Sequence, residues 1–332
     1  MFKDKKINFL TIGDLATDAF IKIKDAETKC DIHGEKCLLC LNFGGKIPYE
    51  SVTVCDATGN ASNVAIGVSK LGIKTSILSY LGDDETAKRS LKVLKKEKVN
   101  TSYIKRVKGC ISNYHYVLWY KTDRTILTKH EKFPYSLPIK MKTPDWIYLT
   151  SLASNSLSYQ EEIINYLKNN KEVSLIFQPG TFQIKLGVEK LKDIYANTKI
   201  FLCNLEEAQR VLNSTEEDIP TLLKMIYSLG PKIVVITNNI KGSHAYDGKD
   251  IWFVGSLPQT PVESTGAGDA FSSAFSSALI LNKNIKDAML WGAINARSVV
   301  SEIGPQKGLL TKEQLEKYFI NIPENLKPKK LN

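Results

Sequence analysis

The segment "PVESTGAGDAFSSAFSSALI", from Pro261 to Ile280, places one carboxylate, Asp269, directly after Gly266, Ala267 and Gly268 and ahead of a long apolar run. First-turn N–H groups and the positive end of a helix dipole stabilise a carboxylate by about 0.3–1 kcal/mol, so an acid at a helix start is ordinary helix chemistry. The glycines need a further reason. They remove side chains just ahead of the helix and let a ligand reach bare N–H groups, the arrangement that binds phosphate. A carboxylate beside a phosphate is electrostatically unfavourable unless it has work to do, such as taking a proton from an attacking hydroxyl. Short glycine motifs recur by chance, so the segment alone leaves a phosphate site and a tightly packed helix start both open. At a helix start Asp269 is expected to have a lowered pKa, orienting the hydroxyl and accepting its proton late.

A second cluster of chemistry-bearing residues is "CDIHGEKCLLC", with Cys30, His33, Cys37 and Cys40 in the spacing Cys-x2-His-x3-Cys-x2-Cys. Thiolate and imidazole are ligands that tetrahedral Zn2+ selects, and a structural zinc would staple a hairpin too short to hold itself. Against this, Cys37 and Cys40 fall on opposite faces of a regular strand, and cysteine also serves as a small core residue.

Elements that could position Asp269 alternate along the chain. Apolar, β-rich runs at 7–13, 74–82, 145–151, 173–180, 199–204 and 232–237 are separated by helical patterns at 60–72, 161–170 and 206–213. Buried strands separated by helices predict a mostly parallel central sheet with helices on both faces, an α/β three-layer sandwich. Ligands of such sheets sit at the carboxyl ends of strands, where Gly13, Gly82, Pro179, Asn204 and Thr237 fall. Two segments, 19–56 and 110–130, read as strands with few helical signals. They are expected to pair as a small β-sheet lid excluding water from the site, a role compatible with an edge or a homodimer interface. The aromatics Tyr114, Tyr116, Trp119 and Tyr120 in the second segment could cover a sugar, stack on a base, or pack.

The 332 residues are read as one domain, long enough to bury a large core. Six cysteines without a secretion-type apolar leader point to reduced thiols or a metal site and a cytoplasmic protein. No run reaches the roughly 18 apolar residues of a membrane span, so no membrane partner is expected. The net charge of +10 could attract nucleic acid, but the densest lysine run, 88–100, carries Leu91, Leu94 and Val99 at near-helical spacing. It reads as the solvated face of an amphipathic helix, and no nucleic-acid partner is expected.

With these pieces in order, the chain resembles the ribokinase-like, PfkB-type family of carbohydrate and nucleoside kinases. "GNASNVAIGVSKLG" resembles that family's substrate motif, "STGAGDAF" its catalytic motif, and "NLEE" (204–207) its Asn-x-x-Glu motif, in the expected order. The resemblance implies a ribokinase-like fold and ATP-dependent phosphorylation of a hydroxyl on a small sugar. Asp269 would be the base and the backbone of Gly266, Ala267 and Gly268 the anion hole. Asp14, Asp18, Gly59, Asn60 and Asn63 would bind the acceptor. Asn204, Thr237, Gly242 and Asn295 would serve the nucleotide, and Asn204 and Glu207 would act on Mg2+ through water. The chain departs from the family pattern in having Thr58 before Gly59 and Glu263 with Ser264 ahead of the catalytic loop. The family's activating K+ would lie by that loop and a late turn at Gly304. A nucleoside acceptor, or a catalytically silent sugar or nucleotide sensor, are the alternatives. The presence of both Asp269 and Glu207 argues against the sensor. No Gly-x-x-x-x-Gly-Lys-Ser/Thr or His-Arg-Asp motif points to other kinase types.

Overall fold

The computed structural model describes residues 8–30, 37–121, 123–258 and 260–331. The chain opens with β1 (Asn8–Ile12), β2 (Ala16–Ile23), the short pair β3 (Glu27–Cys30) and β4 (Cys37–Cys40), and β5 (Tyr49–Thr58). Helix α1 (Asn60–Lys70) leads to β6 (Lys74–Gly82), α2 (Glu85–Lys96), β7 (Asn100–Val107), β8 (Tyr114–Tyr120) and β9 (Asp123–Leu127). Then follow β10 (Trp146–Leu149), α3 (Leu157–Asn169), β11 (Ser174–Phe177), α4 (Thr181–Leu186), α5 (Val188–Asn197), β12 (Thr198–Asn204), α6 (Leu205–Leu212), α7 (Ile219–Ser228) and β13 (Ile233–Thr237). The last part holds β14 (Ser243–Tyr246), β15 (Ile251–Val254), α8 (Ala267–Ile280), α9 (Ile285–Val299), α10 (Lys312–Ile320) and β16 (Lys329–Leu331).

Ten strands form the central sheet in the order β16-β15-β14-β13-β12-β11-β10-β1-β6-β7. It is parallel from β7 to β13, and β14, β15 and β16 extend one edge antiparallel. The period of two in each strand builds two cores, one per face. Leu10, Ile147, Leu175, Phe201 and Val234 pack under α3, α5, α6 and α7. Their neighbours Phe9, Tyr148, Ile176, Ile200 and Val235 pack under α1, α8, α9 and α10. This is why the central strands read as continuous apolar runs. The lysine-rich run forms α2, with Leu94 buried and the lysines outward, as its spacing predicts.

Four strands, in the order β5-β2-β8-β9, form a small separate sheet from the two segments expected to do so. β2 and β8 run parallel, with Asp18 beside His115.

The β3–β4 pair corrects the zinc expectation. Antiparallel register sets Cys30 directly opposite Cys37, with Cα atoms 4.0 Å apart, and the two are joined in a disulfide. Two of the four proposed ligands, Cys30 and Cys37, are therefore spent on each other, and the expectation of reduced thiols fails for this pair. Cys40 pairs with Glu27 on the opposite pleat face from Cys37, while His33 lies outside the described residues. Among the described residues, no group of three or more His, Cys, Asp or Glu side chains is placed to hold a metal ion. None of the described helices is long and apolar enough to cross a membrane.

Candidate active site

Helix α8 starts where the sequence places it. Its cap, Gly266, has φ +83°, and a Cβ there would meet Pro305 Cβ at 2.3 Å, so both backbone shape and space demand glycine. Ala267 N–H turns back to Ser264 O at 3.3 Å. As first-turn residues, Gly268 and Asp269 have N–H groups without an intrahelical acceptor, and a Cβ at Gly268 would meet open space. The N–H groups left open to a ligand are thus those of Gly268 and Asp269, with Gly266 shaping the turn.

Asp269 is only 7% exposed. Its Oδ2 accepts from Asn63 Nδ2 at 2.7 Å and its Oδ1 from Gln178 Nε2 at 3.5 Å, with Asn60 a further hydrogen-bond donor. The amides are themselves oriented. Gln178 Oε1 accepts from Tyr148 Oη at 2.6 Å and Ser272 Oγ at 2.5 Å, which turns its NH2 toward Asp269. Gln306 Nε2 donates to Asn63 Oδ1 at 2.9 Å and Ala57 O at 2.6 Å, which turns the Asn63 NH2 the same way. Asn63, expected on the acceptor, therefore holds the carboxylate.

Burial pushes the Asp269 pKa up to about 6, against the lowering by its amide donors and with the Glu207 charge adding to the rise. The sequence expectation of a lowered pKa is corrected. Desolvation under α1 and the sheet outweighs the helix dipole.

Gly59, φ +94°, caps α1 with its Cα against the Asp14 backbone; a Cβ would meet Asp14 O at 2.7 Å. This contact joins Asp14 and Asn60 into one wall. Asp14 Oδ1 accepts from Tyr135 Oη at 2.7 Å, and Asp18 Oδ1 lies 3.1 Å from His115 Nδ1. On the other side, Asn204 caps α6 in a reciprocal box: Glu207 N–H donates to Asn204 Oδ1 at 2.8 Å and Asn204 N–H to Glu207 Oε2 at 2.9 Å. Burial raises the Glu207 pKa, in part against the Asn204 N–H bond that lowers it. Thr237 ends β13 beside Asn204, and Gly242, φ +101°, follows in the turn into β14. Asn295 does not join them. It is fully buried behind α8, donating to Ala270 O at 2.8 Å and accepting from Leu310 N–H at 3.0 Å, a brace between helices rather than a nucleotide contact.

Gln178, Gln306, His115, His130, Tyr135 and Arg124 were missed by sequence reasoning. Gln178 carried a signal, a polar residue ending the apolar run "VSLIF" at a strand's carboxyl end. Arg124, on β9, reaches the loop ahead of α8, donating to Ser264 Oγ at 2.5 Å with Nε 3.4 Å from Glu263 Oε1.

A mostly parallel sheet between two helical layers, with a small separate sheet and a buried carboxylate at a glycine-capped helix start, is the ribokinase-like fold. Arabidopsis thaliana ribokinase complexed with ribose and ATP superposes with a TM-score of 0.77 at 19% identity, over 96% of this chain and all of that one. The model of the pfkB family of carbohydrate kinases matches residues 28–312, and the chain belongs to that family. It is 24% identical to an ATP-dependent 6-phosphofructokinase of Thermoanaerobacterium thermosaccharolyticum, over 88% of this chain and 87% of the relative. It is 26% identical to a nucleoside kinase of Methanocaldococcus jannaschii, over 79% of this chain and 86% of the relative.

Proposed function

We propose that this carbohydrate kinase transfers the γ-phosphoryl group of ATP to a hydroxyl of a small sugar, with Asp269 as base. The observation that carries the reading is the buried Asp269 carboxylate, aimed by Asn63, Asn60 and Gln178 at the open start of α8. The acceptor hydroxyl would sit between Asp269 and the γ-phosphate, held on its far side by Asp14 and Asp18. As the loose transition state forms, the Gly268 and Asp269 N–H groups steady the charge on the transferring phosphoryl, and Asp269 takes the proton. A carboxylate with a pKa of about 6 is largely ionised at pH 7 and a better base than one near 4.

Asn204 and Glu207, with the hard oxygen chemistry Mg2+ takes, would hold it through water at the nucleotide phosphates. Bound there, Mg2+ neutralises charge on the β- and γ-phosphates. The box with Asn204 fixes one Glu207 oxygen and so the direction of the other. Beside the loop, Glu263 keeps Oε2 buried and without a hydrogen-bond partner, a donor that a monovalent cation such as K+ could use. Potassium stimulation over a choline buffer tests that part. The small sheet is a lid in this reading, and its outer face, with Val52, Val54, Tyr116 and Leu127 exposed, would meet a second copy.

The test is ATP consumption against a panel of free sugars and nucleosides. Turnover with a sugar is expected. ATP-dependent turnover with nucleosides alone would move the acceptor class, and turnover with none would leave a binding protein.

A further inference from the structure

We infer that His115 and His130 are specificity-determining residues of the acceptor pocket, selecting an uncharged polyhydroxylated acceptor and rejecting a phosphorylated or carboxylated one. The inference rests on the proposed sugar-kinase reading and adds to it the charge of the acceptor.

Period two on β8 decides which side chains face the site. Parallel register places His115 beside Asp18, so His115, Val117 and Trp119 face inward, while Tyr114 and Tyr116 share the other face, their rings 5.2 Å apart. His130 follows β9, its ring 5.2 Å from that of His115 and edge-on to Phe182 at 5.5 Å. Phe182 lies at the start of α4, just after Gln178, which holds Asp269. The two imidazoles are thus enclosed by the Asp14 turn, the lid strand and the residues that aim the base.

Three polar atoms here are buried without a hydrogen bond: Asp14 Oδ2, His115 Nε2 and His130 Nδ1. Asp14 itself is 5% exposed. His130 Nδ1 lies 3.6 Å from Asp14 Oδ2, too far for a hydrogen bond and close enough for a hydroxyl to serve both. With Nδ1 of His115 donating to Asp18, the neutral ring offers Nε2 as an acceptor. Asp14 Oδ2 and His115 Nε2 both call for hydroxyl hydrogens, and neighbouring hydroxyls on one ring supply them. Buried polar groups left unpaired by a wrong ligand are the strongest source of discrimination.

Charge sets the second half of the inference. Each imidazole faces a carboxylate, so even with both rings protonated the four side chains sum to zero, and with neutral rings they are doubly negative. No Lys or Arg ion pair among the described residues involves Asp14 or Asp18. A phosphate or carboxylate on the acceptor would meet these carboxylates, while the cation on the same inward face, Arg124 opposite Trp119, is held by Ser264 and Glu263 at the α8 loop.

The experiment uses the full chain with ribose, fructose, adenosine, gluconate and fructose 6-phosphate, read by thermal shift and by ATP turnover. A neutral probe should raise the melting temperature and be phosphorylated, with kcat/KM at least tenfold above that of either charged probe. His115→Ala and His130→Ala should each raise the acceptor KM at least tenfold more than the ATP KM. His115→Gln, whose amide can both donate to Asp18 and accept a hydroxyl, should recover part of the loss, which a packing role would not. Preference for fructose 6-phosphate or gluconate, no shift with any neutral probe, or equal effects of His115→Gln and His115→Ala would each overturn the inference. If a neutral probe shifts the melting temperature but is not phosphorylated, the pocket stands and the kinase reading falls. The wild-type charge comparison needs no variant to fold.

Discussion

At Asp269, stability and chemistry pull in opposite directions. Its pKa of about 6, against an ordinary value of 3.8, means the ionised form is disfavoured in the folded chain by about 3 kcal/mol. A raised folded pKa gives its full relative stability below pH 3.8 and loses it as pH rises through about 6. Asp269→Asn should therefore raise the melting temperature at pH 8, with the gain shrinking toward pH 4, while kcat falls at least about 10²-fold. Near-normal turnover of the purified variant would remove Asp269 as base. In the unmodified enzyme, kcat/KM should climb as pH rises through about 6 and level off above it. Glu207→Gln should raise the Mg2+ concentration needed for half-maximal rate, measured by titration, because the amide is a poorer partner for metal-bound water. An unchanged titration would leave Glu207 as no more than a helix cap.

At the scale of elements, the proposed roles of the small sheet are access to the site and association with a second copy. Val54, Tyr116 and Leu127 lie in one row across β5, β8 and β9, on the face away from Asp18 and His115. A row of exposed apolar side chains on a sheet face is costly in water and economical in an interface. The paired change Val54→Glu with Leu127→Glu is expected to convert a dimer to a monomer in light scattering, with the melting temperature of the main sheet little changed. A monomeric unmodified chain at tens of micromolar would end that proposal. Much of this element was legible, since the alternating apolar pattern of β8 reads as a strand from its residues alone. Its facing was not: alternation gives two faces but not which is inward, and the neighbour that decides, Asp18, lies 97 positions away. For that reason the tyrosines drew attention in the sequence although they face outward, while His115, which did not, holds an inward place beside Trp119 on the same face.

Across the whole molecule, the proposed acceptor wall (Asp14, Asp18, Gly59) and the proposed nucleotide side (Asn204, Glu207, Thr237) flank Asp269, which feels the Glu207 charge. Two ligands that both order the lid and the α8 loop should bind with positive coupling. A non-hydrolysable ATP analogue and an acceptor sugar added together are expected to raise the melting temperature by more than the sum of their separate shifts. Strictly additive shifts would show that the two sides respond independently.

The alternation of strands and helices, the glycine-capped start of α8, the Asn204–Glu207 pair and the place of Asp269, the proposed base, were legible in the chain, because each is written in local spacing and backbone demands. The rest came from packing. Burial by α1 and the sheet reversed the pKa expected from a helix start, and Asn63 was drawn onto the Asp269 carboxylate from 206 positions away. Asn295 was withdrawn into the core by packing against α8, and the hairpin register set Cys30 against Cys37 rather than around a metal. Desolvation and register are sums over residues distant in the chain, so they exist only once the chain has folded.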